Sequence, residues 1–346
     1  MKILYGLSGE GSGHSSRSKE VLTHLKKQGH EIKVISHDRG YRNLKKEFDV
    51  TEISGLRLSF SKNKISHTMT VLENFAKTQM VQKSIRKIFS IIGEFKPNIC
   101  IVDFEPVTCT AANLKKIPII SIDNQHMITD TKIEYPNKYT SDALKTKAVI
   151  NLFVVNAKAH IITTFFSAKV LKKKSILVPP ILRREIFDIK PKDSGYMLVY
   201  LTYKFDKMID ILKSINKKFI VYGFNIDKID SNITFKKASF EGFINDLATC
   251  ECVLANAGFT LITESLYLHK PYLAYPVKHQ FEQVLNAYYL DKMGYGKYWD
   301  EISKEKIESF LYNTDIYKKK LLSYKKNNNK KLFQTVDRLI EKYAKY

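Results

Sequence analysis

Asn256-Ala-Gly258-Phe-Thr-Leu-Ile-Thr-Glu264, followed by Lys270-Pro271, Pro276 and Glu282-Gln283-Val-Leu-Asn286-Ala287, is the stretch whose reading decides the fold. The apolar run Cys252 to Ala255 just before it reads as a buried strand. A glycine then leads into a helix that opens with Phe259-Thr260 and carries Glu264 one turn in. A strand, a glycine and a helix N-terminus make an anion site, because unpaired backbone N–H groups and the helix dipole converge there. A carboxylate one turn further on accepts two hydrogen bonds from a diol such as a ribose. A second helix brings Glu282 and Gln283 toward the same place. That order suits a nucleotide-sugar: a diphosphate, a ribose and a hexose with several hydroxyls.

The N-terminus repeats the pattern. Lys2 to Ser8 reads as a strand and Gly9-Glu-Gly11-Ser-Gly13-His14 as a glycine loop. Ser15 to Lys27 has helical periodicity, and Glu31 to Ser36 is the next strand. A glycine-rich first turn in a β-α-β unit usually points to a dinucleotide. This loop lacks the exact fingerprint and ends in His14. Asp103 stands at the C-terminal end of the strand 98–102, where open α/β sheets place ligands. Glu105 is its rival two residues on, and Asp123-Asn124-Gln125-His126 ends the next strand. Each residue also has a plainer reading. His14 is then a surface residue, Asp103 a helix cap and Glu264 a complement to the dipole. Glu282-Gln283 becomes a solvated surface and 123–126 an ordinary turn.

These motifs resemble a family, the inverting glycosyltransferases of the GT-B fold. The C-terminal hundred residues are similar to the donor half of the transferases that add GlcNAc to the lipid-linked peptidoglycan precursor, and to UDP-glycosyltransferases. Gly258 matches the phosphate-loop glycine, Glu264 the ribose-binding Glu, Pro271 and Pro276 the two prolines after it, and Glu282-Gln283 the pair that holds the donor sugar. Gly242-Phe243-Ile244 resembles the segment whose backbone reads the base. The glycine loop, Ser-Gly-Glu-Gly-x-Gly-His followed by Arg17, resembles a bacterial and archaeal branch of these enzymes.

The resemblance implies an α/β fold with two Rossmann-like doubly wound domains facing across a cleft. It implies catalysis by His14 as general base, oriented by Asp103, with Gly13, Thr202, Phe243, Ile244, Asn256, Gly258, Phe259, Thr260, Glu264, Glu282 and Gln283 on the donor side. Glu105, Asn124, Gln125 and His126 are expected on the acceptor side. Two departures stand out. UDP-glycosyltransferases carry His where Asn256 stands and a second Gly at Ala257. The strand 196–201 leads to Thr202-Tyr203-Lys204 in place of the Gly-Ser turn of many relatives.

Length and composition fit two domains. The 346 residues exceed what one core usually serves, and 44% hydrophobic content allows two. Strands are expected near 2–7, 31–36, 98–103, 117–122 and 160–163, then near 196–201, 218–222, 252–255 and 271–275. The expected division is 1–180 for the acceptor domain, 181–320 for the nucleotide-sugar domain, and 321–346 for a helix that packs back on the first. The four Cys read as buried thiols, with Cys250-x-Cys252 matching neither zinc nor redox spacing. No metal cluster and no cofactor are expected, the UDP-sugar being a donor substrate.

Met1-Lys2 leads straight into a strand, so the expected location is the cytoplasm, with the inner face of the membrane as a peripheral site. The chain carries 57 basic against 35 acidic residues, a net charge of +22. No nucleic-acid motif is visible, so nucleic acid is not an expected partner. The basic, apolar stretch 56–95, with Lys83, Arg86 and Lys87, reads either as a surface for anionic lipid or as a core-packed helix with a solvated face.

The expected activity is therefore inverting transfer of a hexose or N-acetylhexosamine from a UDP-sugar to a glycan or lipid-linked acceptor, in cell-surface polysaccharide synthesis. The alternatives are a UDP-sugar 2-epimerase-like enzyme and a basic binding protein on an inactive transferase scaffold.

Overall fold

The computed structural model describes residues 1–55, 60–61, 64–65, 78–201 and 206–345. It divides into two compact units. The first is Met1–Ser59, Ser66–Arg183 and Asn328–Tyr346; the second is Phe60–Ile65 and Arg184–Asn327.

The first unit is built on a seven-stranded parallel sheet. Its strands are β1 (Lys2–Leu7), β2 (Glu31–Ser36), β3 (Val50–Glu52), β4 (Ile99–Asp103), β5 (Ile119–Asp123), β6 (Ala159–Thr163) and β7 (Ser175–Val178). Their spatial order is β7-β6-β5-β4-β1-β2-β3. The inner strands are apolar on both faces because helices cover both sides. Ile3, Tyr5, Leu7, Ile99 and Ile101 pack with Val21, Leu22 and Leu25 of the helix Gly13–Lys27. Leu4, Cys100 and Val102 point the other way, onto Ile88 and Ile92 of the helix Thr78–Phe95 and Val107 and Ala111 of Pro106–Leu114. The last helix, Lys330–Tyr343, belongs to the first face: Leu332, Val336, Leu339 and Ile340 complete that core. His24 stacks on Phe333 at 4.2 Å and approaches Asp337 at 2.8 Å, tying that helix to Gly13–Lys27.

The second unit repeats the scheme with β8 (Tyr196–Tyr200), β9 (Lys218–Tyr222), β10 (Lys228–Asp230), β11 (Ile233–Phe235), β12 (Cys252–Ala255), β13 (Tyr272–Ala274) and β14 (Gly296–Tyr298). The order is β10-β11-β9-β8-β12-β13-β14, parallel except for the β10–β11 pair. Both units are thus doubly wound Rossmann-like sheets. Of these fourteen strands, β3, β7, β10, β11 and β14 were not expected from the sequence. All five are three or four residues long, too short to show a period.

The helix Thr78–Phe95 resolves part of the reading of 56–95. Most of its apolar residues face the core, with Val81, Ile85, Phe89 and Ile91 packed beside Ile88 and Ile92, while Met80 is exposed. Lys83, Arg86 and Lys87 lie on its exposed face. Residues 56–59, 62–63 and 66–77 of that stretch lie outside the described residues. No helix among the described residues is long and apolar enough to cross a membrane. The four cysteines are free and buried.

Candidate functional site

Parallel pairing brings the ends of β1 and β4 together, with Leu7 opposite Asp103 and Ser8 N–H donating to the Asp103 carbonyl at 2.9 Å. Phe104 then turns the chain out of the sheet in the left-handed region, φ 52°, a conformation that a bulky residue holds only where its surroundings impose it. Glu105 follows as the N-cap of Pro106–Leu114, accepting from Val107 N–H at 3.0 Å and Thr108 N–H at 2.6 Å. It is fully buried. Its carboxylate satisfies the first turn of that helix. The N-cap reading weighed for Asp103 belongs to Glu105.

His14 is the second residue of the helix Gly13–Lys27, with Gly13 the first. Its side chain is 14% exposed, and Nδ1 lies 2.8 Å from Asp103 Oδ1. One turn on, Arg17 enters the same cluster from the same helix. Its Nε donates to Asp103 Oδ2 at 2.7 Å, its Nη2 to Oδ1, and its Nη1 to Asn124 Oδ1 at 2.7 Å. Ser18 Oγ donates to Asp103 Oδ2 at 3.0 Å and takes a bond from Tyr5 OH at 3.2 Å. Burial pushes the Asp103 carboxyl up, but the Arg17 charge, then the His14 charge and the bonds from both, hold it well below the usual carboxylate range.

The glycine loop before His14 is shaped by packing. Gly9 N–H donates to His37 Nε2 at 3.1 Å, so His37 carries its proton on Nδ1, facing Asp38 at 3.1 Å. A Cβ on Gly9 would stand 1.9 Å from the His37 carbonyl oxygen. Gly11 supplies a positive φ of 72°.

The loop after β5 is more buried than an acceptor-facing turn requires. Asn124, Gln125 and His126 are 4%, 6% and 2% exposed. His126 Nδ1 and backbone N–H both approach Asp123, and its ring packs on His160 at 3.9 Å. Burial pushes the Asp123 carboxyl up and His126 pulls it below the usual range. Asn124 takes a bond from Arg17. Neither Arg17 nor this bond was expected as part of the site; the helical spacing of His14 and Arg17, i and i+3, was the available signal.

In the second unit, β12 ends at Ala255 and the helix Phe259–Tyr267 starts with Gly258 as its N-cap. Gly258 makes no side-chain capping bond, and a Cβ placed on it would meet nothing within 4 Å. Phe259 and Thr260 form the first turn, and Glu264 lies one turn in, 1% exposed. Asn256 Nδ2 donates to the Tyr275 carbonyl at 2.8 Å, and Tyr272 OH to the Asn256 carbonyl at 2.6 Å. The amide expected to meet a phosphate thus ties the ends of β12 and β13 together. Glu282 and Gln283 open the helix Phe281–Lys292. Glu282 is half-buried, while Gln283 Oε1 accepts from Val277 N–H at 3.0 Å. Asn286 Nδ2 donates to the Ala257 carbonyl at 3.1 Å.

Gly242, Phe243 and Ile244 lie inside the helix Phe240–Thr249. Gly242 N–H donates to Ser239 Oγ at 3.2 Å and Phe243 N–H to Ser239 O at 3.0 Å. Both of these N–H groups, in the segment expected to read a base, are thus used by the start of the helix. The Phe243 ring instead sits edge-on to Tyr222 and Tyr200, at 5.0 and 5.5 Å. The expected Thr202 contact lies outside the described residues. Among the described residues no group of three or more His, Cys, Asp or Glu is arranged to hold a metal ion.

The sequence profile of glycosyl transferase family 1 matches residues 1–315. The UDP-N-acetylglucosamine--N-acetylmuramyl-(pentapeptide) pyrophosphoryl-undecaprenol N-acetylglucosamine transferase of Clostridium botulinum (strain Langeland) is 26% identical, with all of both chains covered. An uncharacterised glycosyltransferase of Methanosarcina acetivorans is 23% identical over 99% of this chain and 98% of its own. Among solved structures, the kitacinnamycin glycotransferase superposes with a TM-score of 0.71 at 14% identity, covering 99% of each chain. The Polygonum tinctorium UDP-glucosyltransferase gives 0.68 at 12% identity, covering 98% of this chain and 99% of that one. The chain belongs to glycosyl transferase family 1. It is a glycosyltransferase with the two Rossmann-like units of the GT-B fold.

The Asp103 cluster sets a stability prediction. A carboxyl held low in the folded state contributes stability above its unfolded value, about pH 3.9, and loses it as pH falls through the folded value. Asp103→Asn removes that contribution already at neutral pH and leaves Arg17, 5% exposed, without its counter-charge. A loss of about 3–5 kcal/mol is expected, read as a lower urea midpoint at pH 7 and a shallower acid decline than wild type. An unchanged midpoint would remove the pair from the stability of this unit.

Proposed function

We propose that the enzyme is an inverting transferase that moves a hexose or N-acetylhexosamine from a UDP-sugar to a lipid-linked or glycan acceptor. The observation that carries the chemistry is His14 Nδ1 at 2.8 Å from Asp103 Oδ1. A carboxylate on Nδ1 fixes that proton and leaves Nε2 to accept one. His14 takes the proton of an acceptor hydroxyl, whose oxygen attacks the anomeric carbon as the bond to the departing UDP breaks. One displacement inverts the centre. In this reading the acceptor belongs to the first unit and the donor to the second. The uncapped N-terminus at Gly258 stabilises the leaving diphosphate, and Glu264 binds the ribose.

The Clostridium botulinum relative is named for UDP-N-acetylglucosamine and an undecaprenol-linked acceptor. Its similarity over the full length of both chains supports N-acetylglucosamine and a lipid pyrophosphate as the first substrates to assay. A lipid-linked acceptor brings the enzyme to a membrane surface. The exposed basic residues Lys83, Arg86 and Lys87 suit anionic headgroups there.

His14→Ala is expected to lower turnover roughly 10²–10⁴-fold, the usual contribution of a positioned base, with UDP affinity unchanged. Glu264→Ala is expected to do the reverse, weakening UDP binding by about 1.5–3 kcal/mol with a smaller effect on kcat. UDP release and calorimetry read both. Near-normal turnover of the His14 variant on the true acceptor would end the base assignment. A sugar epimerised without acceptor would favour the 2-epimerase reading.

Binding to anionic vesicles is expected to fall steeply with salt, since exposed charges are screened over about 8 Å at physiological ionic strength. Neutralising Lys83, Arg86 and Lys87 should weaken it. Binding unaffected by salt or by the triple variant would refute this face.

A further inference from the structure

Two nitrogens compete for one oxygen in the first unit. Asp103 Oδ1 takes a bond from Arg17 Nη2 and lies 2.8 Å from His14 Nδ1, while Nη2 and Nδ1 are themselves 2.9 Å apart. A guanidinium has donors only. The Asp103 carboxyl, held below its ordinary range, has no proton to offer near neutrality. Two arrangements of the histidine satisfy these contacts. In one, Nδ1–H donates to Oδ1 and Nε2 is the base. In the other, Nδ1 accepts from Arg17 and the proton sits on Nε2, which cannot then act as a base. A doubly protonated imidazole would set its positive charge beside that of Arg17.

The charged and titratable groups around the imidazole come from three elements. Asp103 stands at the end of β4, and Arg17 is on the helix of His14 itself. Tyr5, on β1, is bonded through Ser18; burial and then the Asp103 charge push its phenol well above the ordinary range, so it stays neutral. Asn124, from the loop after β5, is uncharged and anchors Arg17 Nη1.

We propose that Arg17 is the positioning residue of this site: it pins both oxygens of Asp103, presents Oδ1 to His14 Nδ1–H, and opposes a positive charge on the imidazole. Asp103 then orients His14 without drawing it into a stable ion pair. The inference rests on the reading of His14 as the base. A bare aspartate would hold the protonated imidazole more tightly, because an opposite charge within about 4–6 Å shifts such an equilibrium by one unit or more. The Nη1 bond to Asn124 joins a third strand end to the same geometry.

The test is the pH dependence of kcat/KM in wild type, Arg17→Met and Arg17→Lys, with UDP affinity measured alongside. In Arg17→Met the acid limb should move to higher pH by about one unit, with a roughly tenfold loss of rate at pH values on the limb. Arg17→Lys keeps the charge but not the planar fork, so its limb should move less while its rate still falls. UDP affinity should stay at the wild-type value in both. Histidine ¹⁵N spectra should show His14 protonated on Nδ1 in wild type. A limb fixed at the wild-type pH in the variants, with activity reduced evenly across pH, would mean a packing role and overturn the proposal; so would a wild-type His14 protonated on Nε2. Should Arg17→Met fail to fold, Arg17→Gln, which also removes the charge, takes its place, and the wild-type spectrum still decides. Failure of the base reading looks different: wild type would have no acid limb, or His14→Ala would keep its turnover.

Discussion

A buried carboxylate must be compensated, and in the first unit Asp103 sets the terms for everything near it. It lies at the end of a strand covered on both faces, 1% exposed, where an uncompensated charge would be prohibitive. Arg17, His14 and Ser18 all reach it from one helix, at residues 14, 17 and 18. That spacing is one helical turn, so the helix must start at Gly13 and must pack on this end of the sheet. The close fit of Gly9 to His37 fixes the start. A helix displaced by one residue would turn His14 and Arg17 away together. The fold and the acid–base cluster are therefore one constraint.

The second unit solves the opposite problem. Its polar side chains at the strand ends bond mainly to backbone: Asn256 to Tyr275, Tyr272 to Asn256, Gln283 to Val277, Asn286 to Ala257. Together they hold the loops around the helix Phe259–Tyr267, whose N-cap is a glycine without a capping bond. Elsewhere in this unit Ser239 and Ser303 cap their helices. Side chains that fix a loop, with a helix end left to backbone N–H groups, are the features on which the proposed diphosphate site rests. His14 stands in a paired charge cluster, whereas the start of the helix Phe259–Tyr267 offers backbone dipoles. Base chemistry on an acceptor and stabilisation of a leaving group need these two environments.

The basic excess is an outside property. Lys83, Arg86 and Lys87 are exposed on a helix whose apolar side is used by the core. The proposed lipid contact there is one of charges, since most apolar residues described for this helix are used by the core. This separates it physically from an amphipathic helix that buries itself among acyl chains.

Much of this protein was legible in its sequence because the signals are local. The glycine loop before His14, the apolar run to Ala255 with Gly258 after it, and Asp103 at a strand end are all short-range patterns, and the inner parallel strands are continuous apolar runs. The edge strands, Val50–Glu52 and Gly296–Tyr298 among them, carry no such signal, since a three-residue strand exists only through its neighbour. Side-chain partnership was likewise decided by tertiary structure. Pro106 after Glu105 is a local mark of a helix start, but nothing local shows that Asp103 meets His14 and Arg17. The bonds that use Asn256, Gln283 and the Gly242 N–H also depend on where loops and helix starts fall. Arg17 marks the boundary most sharply. Its place one turn after His14 could be read from the chain, but its grip on Asp103, 86 residues away, required the sheet to bring the two together.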